Sequence, residues 1–354
     1  MASAGVGAGR RIMLGAGVGS NGVGAALARP VASGSIGRPA ARRSGGEPQG
    51  MLRQALLWAS TNPPLAERLP RYGFVKRATR RFMPGEKLED ALGAAAELGT
   101  SGITTTLTQL GEHLRSEAEA DEVLQHYRVL LAAIGEQGVD AEVSVKPTQL
   151  GLDFGAPATR ERIASLARST RSTVWIDMES SKYVDATLDI FRSLRGEVDN
   201  VGVCLQSYLR RSEADLEKLL PLDPSIRVVK GAYQELASVA FARKSDVDRS
   251  FVRIASRLLR ARAQGGKGRP VIATHDPRMI AEAGRMAIEL GLAKGTYEFS
   301  LLFGIARAEQ QRLERNGHRV RVLISYGSAW FPWYMRRLAE RPANLWFVAK
   351  QIVG

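Results

Sequence analysis

Between residues 103 and 354 a short β-rich segment followed by a longer amphipathic one recurs eight times. The strand-like segments are Ile103–Leu107, Ala141–Lys146, Thr173–Asp177, Val201–Gln206, Ile226–Lys230, Pro270–Thr274, Tyr297–Ser300 and Val320–Ile324. Helical patterns separate them at Ala118–Ile134, Arg160–Arg168, Val184–Leu194, Ser212–Leu219, Ser250–Ala263, Pro277–Leu290 and Ala308–Arg315. Strict alternation implies parallel pairing, because each crossover helix returns the chain to the same end of the sheet. Eight units is the number that closes a (β/α)8 barrel, and about 250 residues is its usual size. An open doubly wound sheet normally has fewer strands and a glycine-rich first turn. The expected fold class is therefore α/β, a (β/α)8 TIM-type barrel. Residues 51–354 form that domain, with N-terminal helices within 51–99 (one over Glu86–Leu98) and an extra C-terminal helix over Asn344–Val353.

Composition narrows the function classes. With 44% hydrophobic and 24% charged residues the chain has the material for a large buried core. A lone cysteine, Cys204, excludes intramolecular disulfides and cysteine-cluster metal sites, and points to a reducing, cytoplasmic compartment. The four histidines have no HExxH spacing, so no metal is expected. No apolar run approaches the roughly 18 to 20 residues of a membrane span.

The net charge of +14 permits a nucleic-acid or anionic-membrane partner, and its distribution decides. Residues 1–50 carry thirteen of the 36 glycines, six arginines and one acid, which is +5 of that charge. The remaining +9 is spread among helices without interleaved aromatics, so no nucleic-acid partner is expected. This first segment holds too little apolar surface to offset its ordering entropy and is expected to be disordered. Its Gly17-x-Gly19-x-x-Gly22 lacks the following helix, second strand and acidic residue of a dinucleotide fingerprint; the first aspartate is Asp90. An Arg-rich transit peptide and a start upstream of Met51 are both compatible with it.

In a barrel of this kind chemistry sits at the C-terminal strand ends. Those ends carry Glu112, Lys146, Asp177-Met178, Gln206, Lys230-Gly231-Ala232 and Thr274-His275, with Arg227 within strand five and Glu298 in strand seven. Strand eight leads to Arg336, Arg337 and Glu340. So many polar groups at apolar strand ends need a ligand or each other, since unpaired buried charge is costly. Asp276-Pro277 reads as N-cap and first helical residue, placing Thr274-His275 beside a helix N-terminus that could take phosphate. Gly231-Ala232 offers small side chains where a flat ring approaches the backbone. Arg336 and Arg337 could present a double fork to a carboxylate. Equally, they could form an ordinary charged face with Glu340.

Tyr334-Met335-Arg336-Arg337-Leu338-Ala339-Glu340-Arg341-Pro342 resembles the C-terminal signature of the proline dehydrogenases. In the family's order come Val143–Leu152, Ile176–Glu179, Leu205–Tyr208, Arg227–Tyr233, Ala273–Arg278 and Tyr297–Phe299, so the resemblance spans roughly residues 52–354. It implies a distorted barrel holding FAD at its mouth and oxidising L-proline at ring C5, with hydride delivered to flavin N5. By position, Lys146, Arg336 and Arg337 would bind the substrate carboxylate. Arg227 would sit near N5 and Asp177 would face the reacting region. Met178, Gln206, Lys230, Gly231, Ala232, Thr274 and His275 would line the FAD. Glu112 would pair with Arg336 as a gate, Leu302 would pack on the pyrrolidine ring, and Glu340 would belong to the same substrate pocket.

Three positions depart from the family pattern. Leu323 stands where strand eight usually carries a tyrosine, Trp333 where a second tyrosine precedes the arginine pair, and Ser300 replaces a common glutamine. The first two make the ring pocket more apolar and leave 4-hydroxyproline, or another cyclic imino acid, as an alternative substrate. A flavin-free lyase using Lys146 or Lys230 as a Schiff base is the rival chemistry. The resemblance implies a quinone as electron acceptor, which could be met at the inner face of a membrane, with oxygen or another acceptor as alternatives. Oligomeric state is not legible.

Overall fold

The computed structural model describes residues 58, 62, 79–111 and 114–340, with the backbone alone for Arg336, Arg337, Ala339 and Glu340. The chain divides into Met1–Gly45 and Gly46–Gly354, and the described residues all fall in the second unit. The expectations for residues 1–50, Glu112 and the Asn344–Val353 helix lie outside the described residues.

A helix, α1 (Leu88–Gly99), leads into eight strand–helix units. The strands are β1 (Thr104–Gln109), β2 (Ala141–Val145), β3 (Val174–Ile176), β4 (Val201–Gln206), β5 (Ser225–Val229), β6 (Pro270–Ala273), β7 (Glu298–Leu302) and β8 (Arg319–Tyr326). Between them run α2 (Glu117–Gln137), α3 (Ala156–Arg168), α4 (Val184–Arg195), α5 (Ser212–Leu219), α6 (Lys244–Ala263), α7 (Pro277–Glu289) and α8 (Arg307–Arg315), and α9 (Trp330–Glu340) follows β8. All strands pair in parallel and β1 closes on β8, giving the eight-stranded barrel expected. Local signals set the helix ends. Ser116 accepts from the Glu119 amide to start α2, and Gly138, at φ 63°, ends it in a conformation that costs glycine little. The α6 helix begins six residues before the expected Ser250, because its first turns are polar and leave no apolar period to read.

Paired residues in a parallel sheet point to the same side, so the register separates lumen from exterior. Val143, Val174, Val203, Ile226, Ile272, Phe299 and Val322 face outward and are buried against the helices. Each contributes about 1.5–3 kcal/mol on burial. The lumen set is unusually polar: Thr106, Glu142, Ser144, Trp175, Cys204, Arg227, Glu298 and Arg321 are all buried.

The N-terminal end of the lumen is plugged by ions. Glu298, fully buried, faces Arg321 Nε at 2.7 Å, Arg269 Nε at 3.1 Å and Arg319 Nε at 3.3 Å. Glu142 accepts from Arg269 and from Trp175 Nε1, both at 2.6 Å. Burial opposes ionisation of Glu142, but Arg321 and Arg269 overcome it and hold its carboxyl below the usual range. The sequence pattern put Glu298 among the functional strand-end residues. It is instead the first residue of β7, at the end of a barrel that serves stability.

A second apolar cluster joins Phe82, Met83 and Leu110 to Trp330, Phe331, Trp333, Tyr334, Met335 and Leu338 of α9. Trp330 Nε1 donates to Glu86 at 3.1 Å, which ties α9 to the segment before α1.

Candidate active site

Four strands end one residue before an expected site residue. Lys146, Asp177, Lys230 and Thr274 therefore stand just beyond β2, β3, β5 and β6, at the barrel's C-terminal mouth. The alternation that turns Glu142 and Ser144 inward carries Lys146 to the same side. Lys146 is 8% exposed and makes no ion pair with a described residue. A cation so placed is costly unless a ligand supplies the anion. Its loop is held by Glu179, a buried carboxylate that takes the Thr148 amide at 3.0 Å and the Thr148 hydroxyl at 2.6 Å. Sequence reading included Glu179 in a motif but gave it no role; only the contact shows that it fixes the turn after Lys146.

Asp177, beside Lys146 in register, meets Arg227 of β5. Arg227 Nη2 donates to Asp177 Oδ1 at 2.5 Å and to Ser144 Oγ at 2.7 Å. Its Nε donates to Cys204 Sγ at 2.9 Å, and its guanidinium lies over the Trp175 ring, 5.0 Å from the ring centre. Asp177 Oδ1 also accepts from Ser144 Oγ at 2.9 Å, while its side chain stays 20% exposed toward the mouth. Burial works against the charge of Arg227, yet its environment raises its affinity for the proton above that of a free guanidinium. Ser144 and Cys204 were not legible as site residues, because their roles depend on strand register.

Gln206 donates Nε2 to the Met178 carbonyl at 3.1 Å, and its Oε1 is buried with no partner among the described residues. Gly231 has φ 108°, and a Cβ there would fall 2.2 Å from the Tyr208 ring. Tyr208 packing and backbone geometry thus account for this glycine without a flat ligand, contrary to the sequence argument. Ala232 follows it, partly exposed. Lys230 pairs with Asp248 at 2.8 Å and Asp276 at 3.5 Å. Asp276 caps α7 by accepting from the Arg278 amide at 3.1 Å, as the Asp-Pro pair predicted. Burial alone would raise its pKa; bonds from Arg278 and the charge of Lys230 prevail and bring it down to about 2. Lys230, Lys244 and Arg278 thus share two carboxylates, Asp248 and Asp276, which leaves one positive charge over. Thr274 Oγ1 accepts the Asp276 amide at 3.1 Å. His275 Nε2 accepts the Leu302 amide at 2.9 Å, so a neutral ring carries its proton on Nδ1.

Leu302 and Leu323 are register partners on the lumen side, both partly exposed. Beside them Thr106 Oγ1 and Ser325 Oγ are buried with no partner among the described residues. Trp333, 7% exposed, sits in the apolar cluster of α9. Arg336, Arg337 and Glu340 lie on α9 itself, their side chains outside the description. A mouth that combines a lone buried ammonium, an aspartate–arginine pair and an apolar wall can anchor a small anion whose remainder is apolar.

The family model described as proline dehydrogenase matches residues 91–350. Proline dehydrogenase 1 of Bacillus subtilis (strain 168) is 36% identical over 306 residues, covering 86% of this chain and 99% of that protein. The proline dehydrogenase of Deinococcus radiodurans is 37% identical over 309 residues, 85% of this chain and 97% of that one. Among solved structures, proline utilization A (PutA) from Bdellovibrio bacteriovorus superposes with a TM-score of 0.71 at 24% identity. That match covers 82% of this chain but 36% of the other, so the chain spans about a third of the longer protein, and the likeness is one of fold.

Proposed function

This chain belongs to the proline dehydrogenase family, and on that premise we propose that its barrel mouth holds L-proline and FAD together. The enzyme oxidises proline in proline catabolism. The product in our reading is Δ1-pyrroline-5-carboxylate. The observation that carries this reading is Lys146, a nearly buried cation with no anionic partner among the described residues.

The residues fit a flavin nucleotide. Gln206 Oε1 is a buried acceptor awaiting a donor, and the Lys230, Lys244 and Arg278 group keeps one positive charge unmatched for a phosphate. Met178, Ala232, Thr274 and His275 complete the lining, and Gly231 holds the turn. The chemistry a bound flavin supplies is acceptance of the hydride that leaves ring C5. This chain's own residues bind and orient. Lys146, with Arg336 and Arg337, anchors the substrate carboxylate, and fixing one end of a small ring is where proximity contributes most. Leu302, Leu323 and Trp333 keep the ring side apolar. Glu112 and Glu340 keep here only the substrate-side roles that the family resemblance implies. Asp177 turns its less engaged oxygen, Oδ2, toward the amine N–H. Arg227 holds a fixed positive charge at the reacting end, preorganised by its bonds to Asp177 and Ser144. Electrons then pass to a quinone. Among the described residues no helix is long and apolar enough to cross a membrane.

One observation favours a second substrate. Thr106 Oγ1 and Ser325 Oγ, beside Leu323 and without a partner among the described residues, could bond a ring hydroxyl, which suits trans-4-hydroxy-L-proline. The test is an anaerobic titration of purified holoenzyme with each imino acid, followed in the visible flavin bands. Bleaching with proline supports the main reading; bleaching with hydroxyproline alone transfers it to the second. A colourless protein that FAD cannot reconstitute overturns both.

A further inference from the structure

The contacts of Arg227 extend to two residues that touch neither ligand in the reading above. Trp175 is fully buried in β3, and its ring lies beneath the Arg227 guanidinium at 5.0 Å. The indole is itself held in place. Its Nε1 donates to Glu142 Oε2 at 2.6 Å, and a second guanidinium, that of Arg269, lies over it at 5.3 Å. Its register partner on β4 is Gly202, where a Cβ would fall 2.6 Å from the ring, so a glycine there makes the slot. Cys204, two residues further along β4 and the register partner of Arg227, takes the Arg227 Nε–H at 2.9 Å and offers its own S–H to Asp177 Oδ1 at 3.4 Å. We propose that Trp175 and Cys204 are positioning residues for the reaction, which together fix the plane and rotation of the Arg227 guanidinium against Asp177. The inference rests on the reading that Arg227 faces the bound flavin.

The physical case is one of restraint from separate directions. A guanidinium over an aromatic face gains from the ring's quadrupole most where water is excluded, which sets its height and tilt. Hydrogen bonds in its own plane set its rotation, and here they come from three different strands, through Ser144 on β2, Asp177 after β3 and Cys204 on β4. Burial pushes the Cys204 thiol up to about 12 despite the charge of Arg227, so it stays an S–H group. A neutral sulfur guides Nε without adding a second anion, and the arginine's charge is shared with one carboxylate. Glu142 links this layer to the ion plug beneath, because it accepts from both Trp175 and Arg269.

The experiment uses the flavin-loaded enzyme in four variants: Trp175→Leu, Trp175→Phe, Cys204→Val and, as reference, Arg227→Met. Steady-state kinetics with proline, the visible flavin spectrum and the flavin reduction potential are measured for each. Trp175→Leu should lower kcat about tenfold while the proline KM stays within twofold, since Lys146 is untouched. Its spectrum and potential should move in the same direction as those of Arg227→Met, and by less. Cys204→Val should show the same pattern more weakly, and Trp175→Phe, which keeps a ring, should recover most of the loss. If Arg227→Met moves spectrum and potential but Trp175→Leu and Cys204→Val, folded and fully loaded, match the wild type in every readout, the positioning role is wrong. If Arg227→Met itself leaves both flavin readouts unchanged, the placement of Arg227 against the flavin fails and the inference goes with it.

Discussion

Replacing Glu298 with glutamine removes the carboxylate that pairs with three arginines, the buried Arg321, the partly buried Arg269 and the exposed Arg319. In the native barrel Glu298 stands 2.7 Å from Arg321, 3.1 Å from Arg269 and 3.3 Å from Arg319, with no solvent exposure. The amide keeps the shape but not the charge, and leaves Arg321, 2% exposed, with Glu142 at 3.3 Å and the more distant Asp140 at 3.8 Å as its anions. Breaking a buried pair from one side costs about 3–5 kcal/mol, because the surviving charge cannot return to water. For a domain of this size each kcal/mol moves the midpoint by roughly 2–4 °C, so the expected loss is on the order of 10 °C. Thermal unfolding followed by circular dichroism measures it. The double variant Glu298→Met with Arg321→Met removes the stranded charge along with its partner, and should recover a large part of that loss. The proline KM, measured well below the midpoint, should be unchanged in both. A loss under about 2 °C for the single variant, or a large rise in KM with an unshifted midpoint, would refute the placement of Glu298 in a structural plug.

Three further outcomes are expected. Arg337→Met should raise the proline KM strongly with a smaller change in kcat; an unchanged KM removes Arg337 from the carboxylate clamp. Gly202→Val forces a side chain into the Trp175 slot and should cost about 1–3 kcal/mol, read by urea denaturation. His126, bonded through Nε2 to Tyr326 Oη at 2.7 Å, is held below its ordinary pKa of 6.5 chiefly by burial, as is His318. A depressed histidine favours the folded state above its unfolded pKa and loses that contribution as pH falls from about 6.5. The midpoint should therefore drop between pH 7 and 5 beyond the change due to carboxylates. His126→Gln should flatten that drop, and a parallel pH curve for the variant would contradict the assignment.

Periodicity was readable wherever a segment has one face in the core. Val201–Gln206 and Ser212–Leu219 were legible to the residue, because apolar positions recur at the strand or helix period up to a clear boundary. Lys146, Asp177 and Lys230 could be assigned to the mouth because each follows a β-rich run directly. Glu298 looked the same in one dimension and proved to be at the opposite end of the barrel, since a strand's direction of exposure is visible only once its ends are placed. Gly231 was read as space for a ligand, whereas Tyr208, 23 positions earlier, fills that space.

What the sequence alone determined about this protein is the eightfold strand–helix alternation and the order of polar residues at strand ends. Both are local, set by side-chain period and by what a crossover helix can connect. Tertiary structure alone decided which of those polar groups meet. Arg227 finds Asp177, Ser144 and Cys204 across separate strands, Arg269 and Arg321 neutralise Glu142 and Glu298, and Lys146 is left without an anion among the described residues. Barrel closure and register set those distances, and a charge's cost or use depends on its nearest partner in space.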